Sequence, residues 1–332
     1  MPSNPNFLVS VDPQQPPRTL AGAVVAIGNF DGVHRGHRAV IARAQALARR
    51  LGKPCAVLTF EPHPSDYFGG AGTIFRLTSR DAKAHRMAEL GLDGMFVLTF
   101  DAALAGLDAE SFLRDVLARR LGAGVVVVGY DFHFGARRSG TPAYLREAGP
   151  KLGIEVEIVE KVVADEEGSL DAVSSTATRE ALQCGDVRAA AALLGHYWSL
   201  TGPVIHGAKL GRQLGYPTAN LAVDPSCRLR HAIYAVEIAL DGSRLQEGRP
   251  DEGPLTGRRL KGVASFGRRP TVDNGPPLLE VFIFDFAEDL YGRDIEVFFV
   301  AFLRGEQKFE SLDALVAQIR RDEEQARKIL GA

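Results

Sequence analysis

Two histidines, His34 and His37, lie three residues apart behind a glycine-rich stretch, and together they could bind a phosphate. The surrounding segment, Gly28–His37, reads GNFDGVHRGH. In the first turn of a helix, residues at this spacing share one face. Both imidazoles could then donate to the same phosphate and stabilise the charge that develops on its oxygens. Gly36 would let a nucleotide lie close to the backbone. The pattern therefore indicates nucleotidyl transfer.

The elements on either side of the histidines favour this chemistry over the default of ordinary surface histidines. The apolar run Ala23–Gly28 predicts a buried strand, and the amphipathic stretch Gly36–Arg50 predicts a helix. Open parallel sheets bind ligands where strands end and helices begin, because helix N-termini offer N–H groups to phosphate. The segment has neither a G-x-G-x-x-G pattern nor a G-K-[ST] step, which disfavours hydride transfer and P-loop kinase chemistry.

A second group of residues combines glycines with oxygen ligands. Gly207, Gly211 and Gly215 precede Thr218 and Asn220. Such glycines let backbone N–H groups approach phosphates, and the hydroxyl and amide oxygens are hard ligands that Mg²⁺ accepts. A glycine-rich segment before a strand is by default only a turn, so from the spacing alone both interpretations stay open.

The first half of the chain alternates short apolar runs with amphipathic stretches, which predicts a parallel α/β sheet covered on both faces. The expected strands are Ala23–Gly28, Lys53–Phe60, Gly94–Leu98, Val125–Gly129 and Ile154–Val159, and the expected helices are Gly36–Arg50, Ser79–Leu90, Glu110–Arg120 and Thr141–Leu152.

Beyond Trp198 the sequence changes to β-branched and aromatic runs separated by turn residues, which predicts an antiparallel sheet or barrel. A helix from Ser311 to Leu330 follows, with Ser311 as its N-cap. We expect a Pro-rich leader over residues 1–20, an α/β domain over 21–185, a linking helix over 186–198 and a β-rich domain over 199–332. The expected β runs are Tyr234–Leu240, Leu278–Phe286 and Ile295–Phe302, and two short helices are expected at Thr176–Gln183 and Val187–Leu194.

Composition limits the classes of partner. The 332 residues suggest two domains at about 150 residues each. A net charge of −2 disfavours a protein that lives on nucleic acid. The three scattered cysteines, with no secretory signal and no long apolar run, are typical of a cytoplasmic protein without a membrane partner.

Three motifs in the first half resemble those of the prokaryotic bifunctional riboflavin kinase/FAD synthetases, within the wider H-x-G-H nucleotidyltransferase group. After GNFDGVHRGH comes Gly129–Gly140, similar to the family's G-x-D/N-F-x-F-G-x-x-R-x-G element, and then S-S-T-x-x-R from Ser174 to Arg179. Standing alone, the last motif could be ordinary helix N-capping. The resemblance implies a nucleotide site formed by Gly28, Asn29, Phe30, Asp31, Gly32, Gly36, Asp131, Phe132, Arg138, Ser174, Ser175, Thr176 and Arg179.

The second half resembles the riboflavin kinase part of the same family. The P-T-A-N signature ends at Asn220, and Glu280 stands in LEVFIFDF at the position of the family's catalytic glutamate. By default a glutamate in a half-buried strand points to solvent. The resemblance implies a kinase β-barrel with a terminal helix, Mg²⁺ near Thr218 and Asn220, and flavin contact by Arg304. The further binding residues that it implies are Gly207, Lys209, Gly211, Arg212, Gly215 and Pro217.

Together these motifs imply a two-step enzyme. ATP would phosphorylate riboflavin to FMN with Glu280 as base, and a second ATP would adenylylate FMN to FAD with His34 and His37 stabilising the α-phosphate. Riboflavin, FMN and ATP would then be the small-molecule partners, with Mg²⁺ offsetting phosphate charge in both steps.

The chain departs from the family pattern at several positions. Ala232, Ser265, Phe282 and His133 replace the usual glycine, asparagine, histidine and arginine. Three other functions remain as alternatives: a flavin-binding regulator or carrier, a kinase with a degenerate N-terminal domain, and a nucleotidyltransferase for another acceptor. The presence of every expected catalytic residue disfavours the first two, and the P-T-A-N module disfavours the third.

Overall fold

The computed structural model describes residues 6–160, 173–207, 211, 214–240, 259–268 and 277–332. The chain divides into two compact units, residues 1–175 and 176–332. This division precedes the expected boundary near residue 185, because the helix that begins at Ser175 groups almost entirely with the second unit.

The first unit contains a six-stranded, fully parallel, Rossmann-like sheet in the order β1-β4-β3-β2-β5-β6, which confirms the predicted parallel α/β class. The order of the strands changes direction beside β2, because β3 lies on one side of β2 and β5 on the other. The strands are β1 (Leu8–Val11), β2 (Val24–Ile27), β3 (Cys55–Glu61), β4 (Gly94–Thr99), β5 (Val125–Gly129) and β6 (Glu155–Val159).

Helices cover both faces of this sheet. Successive residues of β2 enter opposite cores: Val25 and Ile27 pack in one apolar cluster, and Val24 and Ala26 in the other. This two-sided burial explains why the strands read as continuous apolar runs. The helices are α1 (Arg35–Leu51), α2 (Pro64–Gly69), α3 (Arg80–Glu89), α4 (Ala102–Ala105), α5 (Ala109–Ser111) and α6 (Pro142–Ala148), with short 3₁₀ turns at Arg18–Leu20, Ala136–Arg138 and Gly149–Leu152.

The segment expected to be a Pro-rich leader contributes to the sheet. Within it, β1 pairs in parallel with β4, and Leu20 is fully buried. A Cβ at Gly94 would lie 2.6 Å from the Leu20 side chain, so β4 needs a glycine there. The surrounding prolines hid this four-residue strand from prediction. Its residues alternate between half-buried and exposed, which is the two-residue period of a half-buried edge strand.

The helix expected over Glu110–Arg120 has a different hydrogen-bond pattern. Helix α5 continues as a π-helix over Phe112–Arg120, and Leu121 donates its N–H to the Val116 carbonyl, five residues back. Its apolar positions still face the core, and the hydrophobic pattern alone does not distinguish the two helix types.

The second unit is a closed antiparallel barrel of six strands in the order β10-β11-β8-β7-β12-β9, preceded by helices α7 and α8 and followed by α9. The predicted barrel with a terminal helix is therefore confirmed. Its elements are α7 (Ser175–Cys184), α8 (Val187–Leu194), β7 (Ser199–Ile205), β8 (Thr218–Ala222), β9 (Ala232–Leu240), β10 (Leu260–Gly267), β11 (Leu278–Ile283), β12 (Asp294–Gly305) and α9 (Leu312–Leu330).

Aromatic side chains fill part of the barrel core. Trp198 and Tyr234 both pack against Phe299, with ring centroids 5.1 and 5.3 Å apart. The Tyr234 hydroxyl donates to the Arg230 carbonyl at 2.6 Å, so the buried polar atom is satisfied. Within the described residues, no helix is long and apolar enough to cross a membrane.

The three cysteines differ in accessibility, which predicts different reactivities. Cys184 is exposed, whereas Cys55 and Cys227 are buried, and burial raises the pKa of each buried thiol to about 12. Because the thiolate is the reactive form, we expect a thiol reagent at pH 8 to label Cys184 rapidly and the other two only after unfolding. The Cys184→Ser variant should lose the rapid phase. Rapid labelling of all three in the folded protein would contradict this burial.

Candidate active sites

The loop that carries the histidines leaves the sheet beside the point where the strand order reverses. It follows β2, whose neighbours are β3 on one side and β5 on the other. The Gly28 N–H donates to the Leu58 carbonyl, and the Asn29 carbonyl accepts from the Thr59 hydroxyl at 3.0 Å. The carboxyl ends of parallel strands at such a reversal form a crevice that binds ligands.

The two histidines are stacked at the start of α1. His34 is the N-cap residue, and its Nδ1 accepts the His37 backbone N–H at 3.2 Å. The two rings lie 3.6 Å apart and nearly parallel, and the Phe30 ring meets His37 edge-on at 5.2 Å. Because Nδ1 of His34 is an acceptor, a neutral His34 ring carries its proton on Nε2. The first turn of α1 has no acidic residue, so nothing there repels an anion.

Gly36 is needed for a reason other than the one expected. A Cβ at this position would lie 3.1 Å from Cε1 and 3.2 Å from Nδ1 of His34, and 3.6 Å from the Val173 carbonyl oxygen. The two distances to His34 are tighter than ordinary Cβ contacts, whereas the distance to Val173 is an ordinary one. The missing side chain therefore makes room for the His34 ring.

Asp31, expected to bind the nucleotide, has its carboxylate directed into the protein. The residue is 1% exposed. Its carboxylate accepts the backbone N–H groups of Leu77 and Thr78 at 3.0–3.1 Å and the Thr78 hydroxyl at 3.2 Å. The Thr78 hydroxyl also accepts the Gly32 N–H. Asp31 thus fixes the histidine loop to the segment before α3.

The second motif, Gly129–Gly140, lies at the end of β5, the strand beside β2. Asp131 is exposed, and the Phe132 ring stacks on Phe134, which is buried. Arg137 and Arg138 are both exposed with left-handed φ angles of 56° and 58°. Left-handed backbone at two successive non-glycine residues is strained and is typical of functional loops.

The third motif lies where the chain divides into its two units. Ser175 donates its hydroxyl to the Asp31 carbonyl at 2.8 Å, which joins this segment to the histidine loop. Ser174 precedes it in the same unit. Thr176 and Arg179 follow on α7 in the second unit, where Thr176 is exposed and Arg179 half-buried. Ser175 therefore has a contact with the histidine loop.

In the second unit, strand register brings the predicted kinase residues together. Glu280 of β11 pairs directly with Asn220 of β8 and, on its other side, with Ser265 of β10. Directly opposed residues in antiparallel strands project on the same face, as do residues two apart. Thr218, Asn220 and Glu280 therefore share one face. Asn220 is 5% exposed, and its amide nitrogen donates to the Thr218 carbonyl at 3.3 Å.

Three glycines beside this face are required by geometry. A Cβ at Gly207 would lie 2.5–2.7 Å from the Asn220 amide, and one at Gly211 would collide with the Tyr216 carbonyl oxygen. Gly215 has a φ of +85°, a conformation that favours glycine. Pro217 is exposed. Lys209 and Arg212, expected to bind phosphate, lie outside the described residues.

Arg304, expected to contact flavin, forms an internal ion pair. Its Nε and Nη2 donate to both carboxylate oxygens of Asp322 on α9 at 2.8–3.0 Å. Asp322 is 4% exposed and also accepts the Gln318 amide N–H at 2.8 Å. In this arrangement Arg304 joins the end of β12 to the terminal helix.

The four departures from the family pattern have defined surroundings. Phe282 pairs with Thr218 and meets the Tyr216 ring edge-on at 5.1 Å. Ser265 stands beside Glu280, and Ala232 is fully buried opposite Gly305. The Nδ1 of His133 donates to the Asp131 carbonyl at 2.8 Å.

Sequence reasoning missed several polar residues that support the histidine loop. Thr59 and Lys83 are fully buried near Asn29, and Thr78 binds both Asp31 and Gly32. None belongs to a motif that the sequence singled out. One signal was available: Lys83 stands four residues before Met87, so α3 carries a lysine on its apolar face.

Comparisons with known proteins cover both sites. The FAD synthetase family matches residues 17–177, and the riboflavin kinase family matches residues 194–330. The chain is 40% identical over 310 residues to the bifunctional riboflavin kinase/FMN adenylyltransferase of Escherichia coli K12, covering 93% of each protein. The identity to the protein of the same name from Haemophilus influenzae is 37%, over 93% of this chain and 95% of that protein.

One solved structure is similar along nearly the whole chain. It is described as a macrolide-efflux protein from Streptococcus pneumoniae, with a TM-score of 0.81 and 30% identity over 97% of this chain and 99% of that one. Its name refers to a different process from the two family matches, and the likeness shows that the two chains share a fold.

The crowding at Gly36 predicts that Gly36→Ala displaces the His34 ring. Alanine normally stabilises a helix relative to glycine by about 1 kcal/mol, but here its Cβ would press on the ring that caps α1. The His37 amide, which donates to that ring, should then exchange its proton with solvent about tenfold faster or more. Gly305→Ala is the control, because its Cβ would meet nothing within 4 Å. Unchanged exchange of the His37 amide in Gly36→Ala would contradict the crowding.

Proposed function

The chain belongs to the bifunctional riboflavin kinase/FMN adenylyltransferase family, and we propose that its two sites divide the two reactions between the two units. The activities are the ATP-dependent phosphorylation of riboflavin to FMN and the adenylylation of FMN to FAD with release of pyrophosphate. The observation that carries the division is the separate grouping of His34 with His37 at a helix start and of Glu280 with Asn220 across two strands.

In the adenylylation site, a phosphate oxygen of FMN attacks the α-phosphorus of ATP, and pyrophosphate leaves. His34 donates to the α-phosphate through Nε2, because its Nδ1 already accepts the His37 N–H. The stacked His37 ring lies beside it, so both imidazoles meet the charge that develops on the same oxygens. The N-terminus of α1 adds backbone N–H groups and the positive end of the helix dipole.

The remaining residues proposed to bind the nucleotide have distinct roles. Gly28, Asn29, Phe30 and Gly32 form the backbone of the loop, and Asp31 holds it in place through its buried carboxylate. Asp131, Phe132 and Arg138 follow the neighbouring strand, where Arg138 offers a positive charge to the triphosphate. Ser174 and Ser175 complete the proposed site within the first unit, where the Ser175 hydroxyl donates to the Asp31 carbonyl. Thr176 and Arg179 belong to the second unit and stay predictions from their motif.

In the kinase site, the ribityl 5′-hydroxyl of riboflavin attacks the γ-phosphorus of ATP, and ADP leaves. Glu280 accepts the hydroxyl proton as the new O–P bond forms. Its position opposite Asn220 supports this role, because the register places the carboxylate on the face that carries Thr218. We assign phosphate binding to the glycines at 207, 211 and 215. Lys209 and Arg212, which lie outside the described residues, are assigned to it by their motif alone. Arg304, which pairs with Asp322 of α9, stays the predicted flavin contact.

The residues at the kinase site fit a magnesium ion that also binds ATP. Mg²⁺ prefers oxygen ligands and keeps several water or phosphate oxygens, so it needs few protein ligands. Thr218 would supply its hydroxyl oxygen to the ion. Asn220 would supply its amide oxygen, because its amide nitrogen donates to the Thr218 carbonyl. When bound, the ion would offset the phosphate charge.

Both reactions use nucleotides of the cell interior, and we place the enzyme in the cytoplasm.

Substitutions at the two sites should separate the activities. His37→Ala should abolish FAD formation from FMN and leave FMN formation from riboflavin, because it removes a phosphate donor of one site only. Glu280→Gln should do the reverse, lowering the phosphorylation rate by about 10²–10⁴-fold. Riboflavin, FMN and FAD are resolved by chromatography over time. Equal loss of both activities in either variant would refute the division.

Removal of the metal provides a second test. Chelation with excess EDTA should stop both reactions, and added Mg²⁺ should restore them, because the phosphates need a divalent cation to offset their charge. Thr218→Val should raise the Mg²⁺ concentration for half-maximal phosphorylation and leave that for adenylylation unchanged. If Thr218→Val needs the same Mg²⁺ concentration for phosphorylation as the unsubstituted protein, Thr218 does not bind the metal.

A further inference from the structure

A fully buried lysine lies behind the histidine loop. Lys83 of α3 is 1% exposed, and its Nζ lies 3.0 Å from the Thr59 hydroxyl and 3.2 Å from Oε1 of Glu61. Burial lowers the pKa of this ammonium group, and the nearby charge of Glu61 opposes that shift. A charge in this position costs stability unless it is paired and hydrogen-bonded, so its retention calls for an explanation.

The hydrogen bonds around Lys83 have fixed directions. Thr59 is fully buried, and its hydroxyl donates to the Asn29 carbonyl at 3.0 Å. A hydroxyl has one proton to donate, so its oxygen must be the acceptor of the contact with Lys83. An amine donates whether or not it carries a charge. The result is a directed chain from Lys83 through Thr59 to the backbone of the histidine loop.

The neighbouring charges hold Lys83 in this orientation. Glu61 accepts from the Nη2 of Arg76 at 2.8 and 2.9 Å as well as from Lys83. Arg76 also faces Asp66, with a nitrogen–oxygen distance of 3.9 Å. Asp31 adds a further favourable charge and Arg76 an unfavourable one at the Lys83 ammonium. Glu61 is therefore bound from two sides, and Lys83 donates to Thr59 as well as to Glu61.

The loop needs such an anchor because its backbone is strained. Phe30 and Val33 have left-handed φ angles of 49° and 44°. A bulky or β-branched residue in this region is an outlier, and its conformation is held only where the surrounding contacts fix it. The Asn29 carbonyl immediately precedes the first of these residues, and the His34 cap follows the second. The contact with Thr59 therefore fixes the point at which the strained turn begins.

We propose that Lys83 and Thr59 are positioning residues for adenylyl transfer, acting through the Asn29 carbonyl to fix the loop that presents His34 and His37. Neither touches substrate. The proposal rests on the proposed function of the two histidines and extends it to residues outside the recognised motifs. In this proposal the buried lysine has a role in adenylylation and none in phosphorylation.

The test uses the full-length protein and variants that change the hydroxyl alone. Thr59→Val removes the hydroxyl with little change in shape, and Thr59→Ser restores it. Thr99→Val is the matched control: Thr99 lies opposite Glu61 at the end of β4 and donates its hydroxyl to Asp12, away from the loop. We measure kcat and KM for FMN adenylylation, the rate of riboflavin phosphorylation, and thermal unfolding.

We expect Thr59→Val to lower kcat for adenylylation about tenfold or more, as misplacement of catalytic groups does. The KM values for FMN and ATP should change little, and phosphorylation should not change. Thr59→Ser and Thr99→Val should keep kcat near that of the unsubstituted protein. Lys83→Met should act as Thr59→Val does, and if it fails to fold, the threonine variants decide alone.

Three results would overturn the proposal. Thr59→Val could keep full kcat while only its unfolding temperature falls, which would make the hydroxyl structural. Thr59→Ser could lose as much kcat as Thr59→Val, which would assign the effect to packing of the methyl group. Thr59→Val could also lower phosphorylation equally. His37→Ala is assayed in parallel to separate failure of the proposed histidine site from failure of the proposed positioning role. If His37→Ala keeps full adenylylation, the histidine site itself is refuted. If His37→Ala loses adenylylation while Thr59→Val keeps it, only the positioning role of Lys83 and Thr59 is refuted.

Discussion

Backbone pairing between strands that are distant in the sequence determines where the reactive groups of both units lie. In the first unit, the parallel pairing of β2 with β3 and β5 brings the histidine loop, Thr59 and the loop after β5 to one edge of the sheet. In the second, the antiparallel register of β8 and β11 places Asn220 opposite Glu280. A slip of one residue there would turn Glu280 to the other face, so the chemistry depends on the register.

The two sites hold their geometry by different means. The histidine loop uses non-glycine residues with left-handed backbone and is held by buried polar groups, chiefly the Asp31 carboxylate and the Thr59 hydroxyl. The proposed kinase face instead uses glycines, of which Gly207 leaves room for the Asn220 amide. A strained loop with several anchors has few alternative positions, which suits the proposed role of presenting two imidazoles to one phosphate.

Much of the fold could be predicted from the sequence, because element types depend on local periodicity. The apolar runs gave the central strands of the parallel sheet, and the aromatic and β-branched runs indicated the barrel. Strand β1 was hidden among prolines, and the π-helix over Phe112–Arg120 has the same apolar pattern as an α-helix. Motifs could identify candidate residues but not their partners: the inward carboxylate of Asp31 and the pairing of Arg304 with Asp322 depend on contacts between distant segments.

The most direct test of the two-site account is a mixing experiment. The His37→Ala and Glu280→Gln proteins are each incubated with riboflavin, ATP and Mg²⁺, and then both are combined in one reaction. If the two reactions use separate groups, neither protein alone makes FAD at the normal rate, whereas the mixture makes FAD after a lag in which FMN accumulates. If the mixture yields no more FAD than the separate proteins, the account of two independent sites is contradicted.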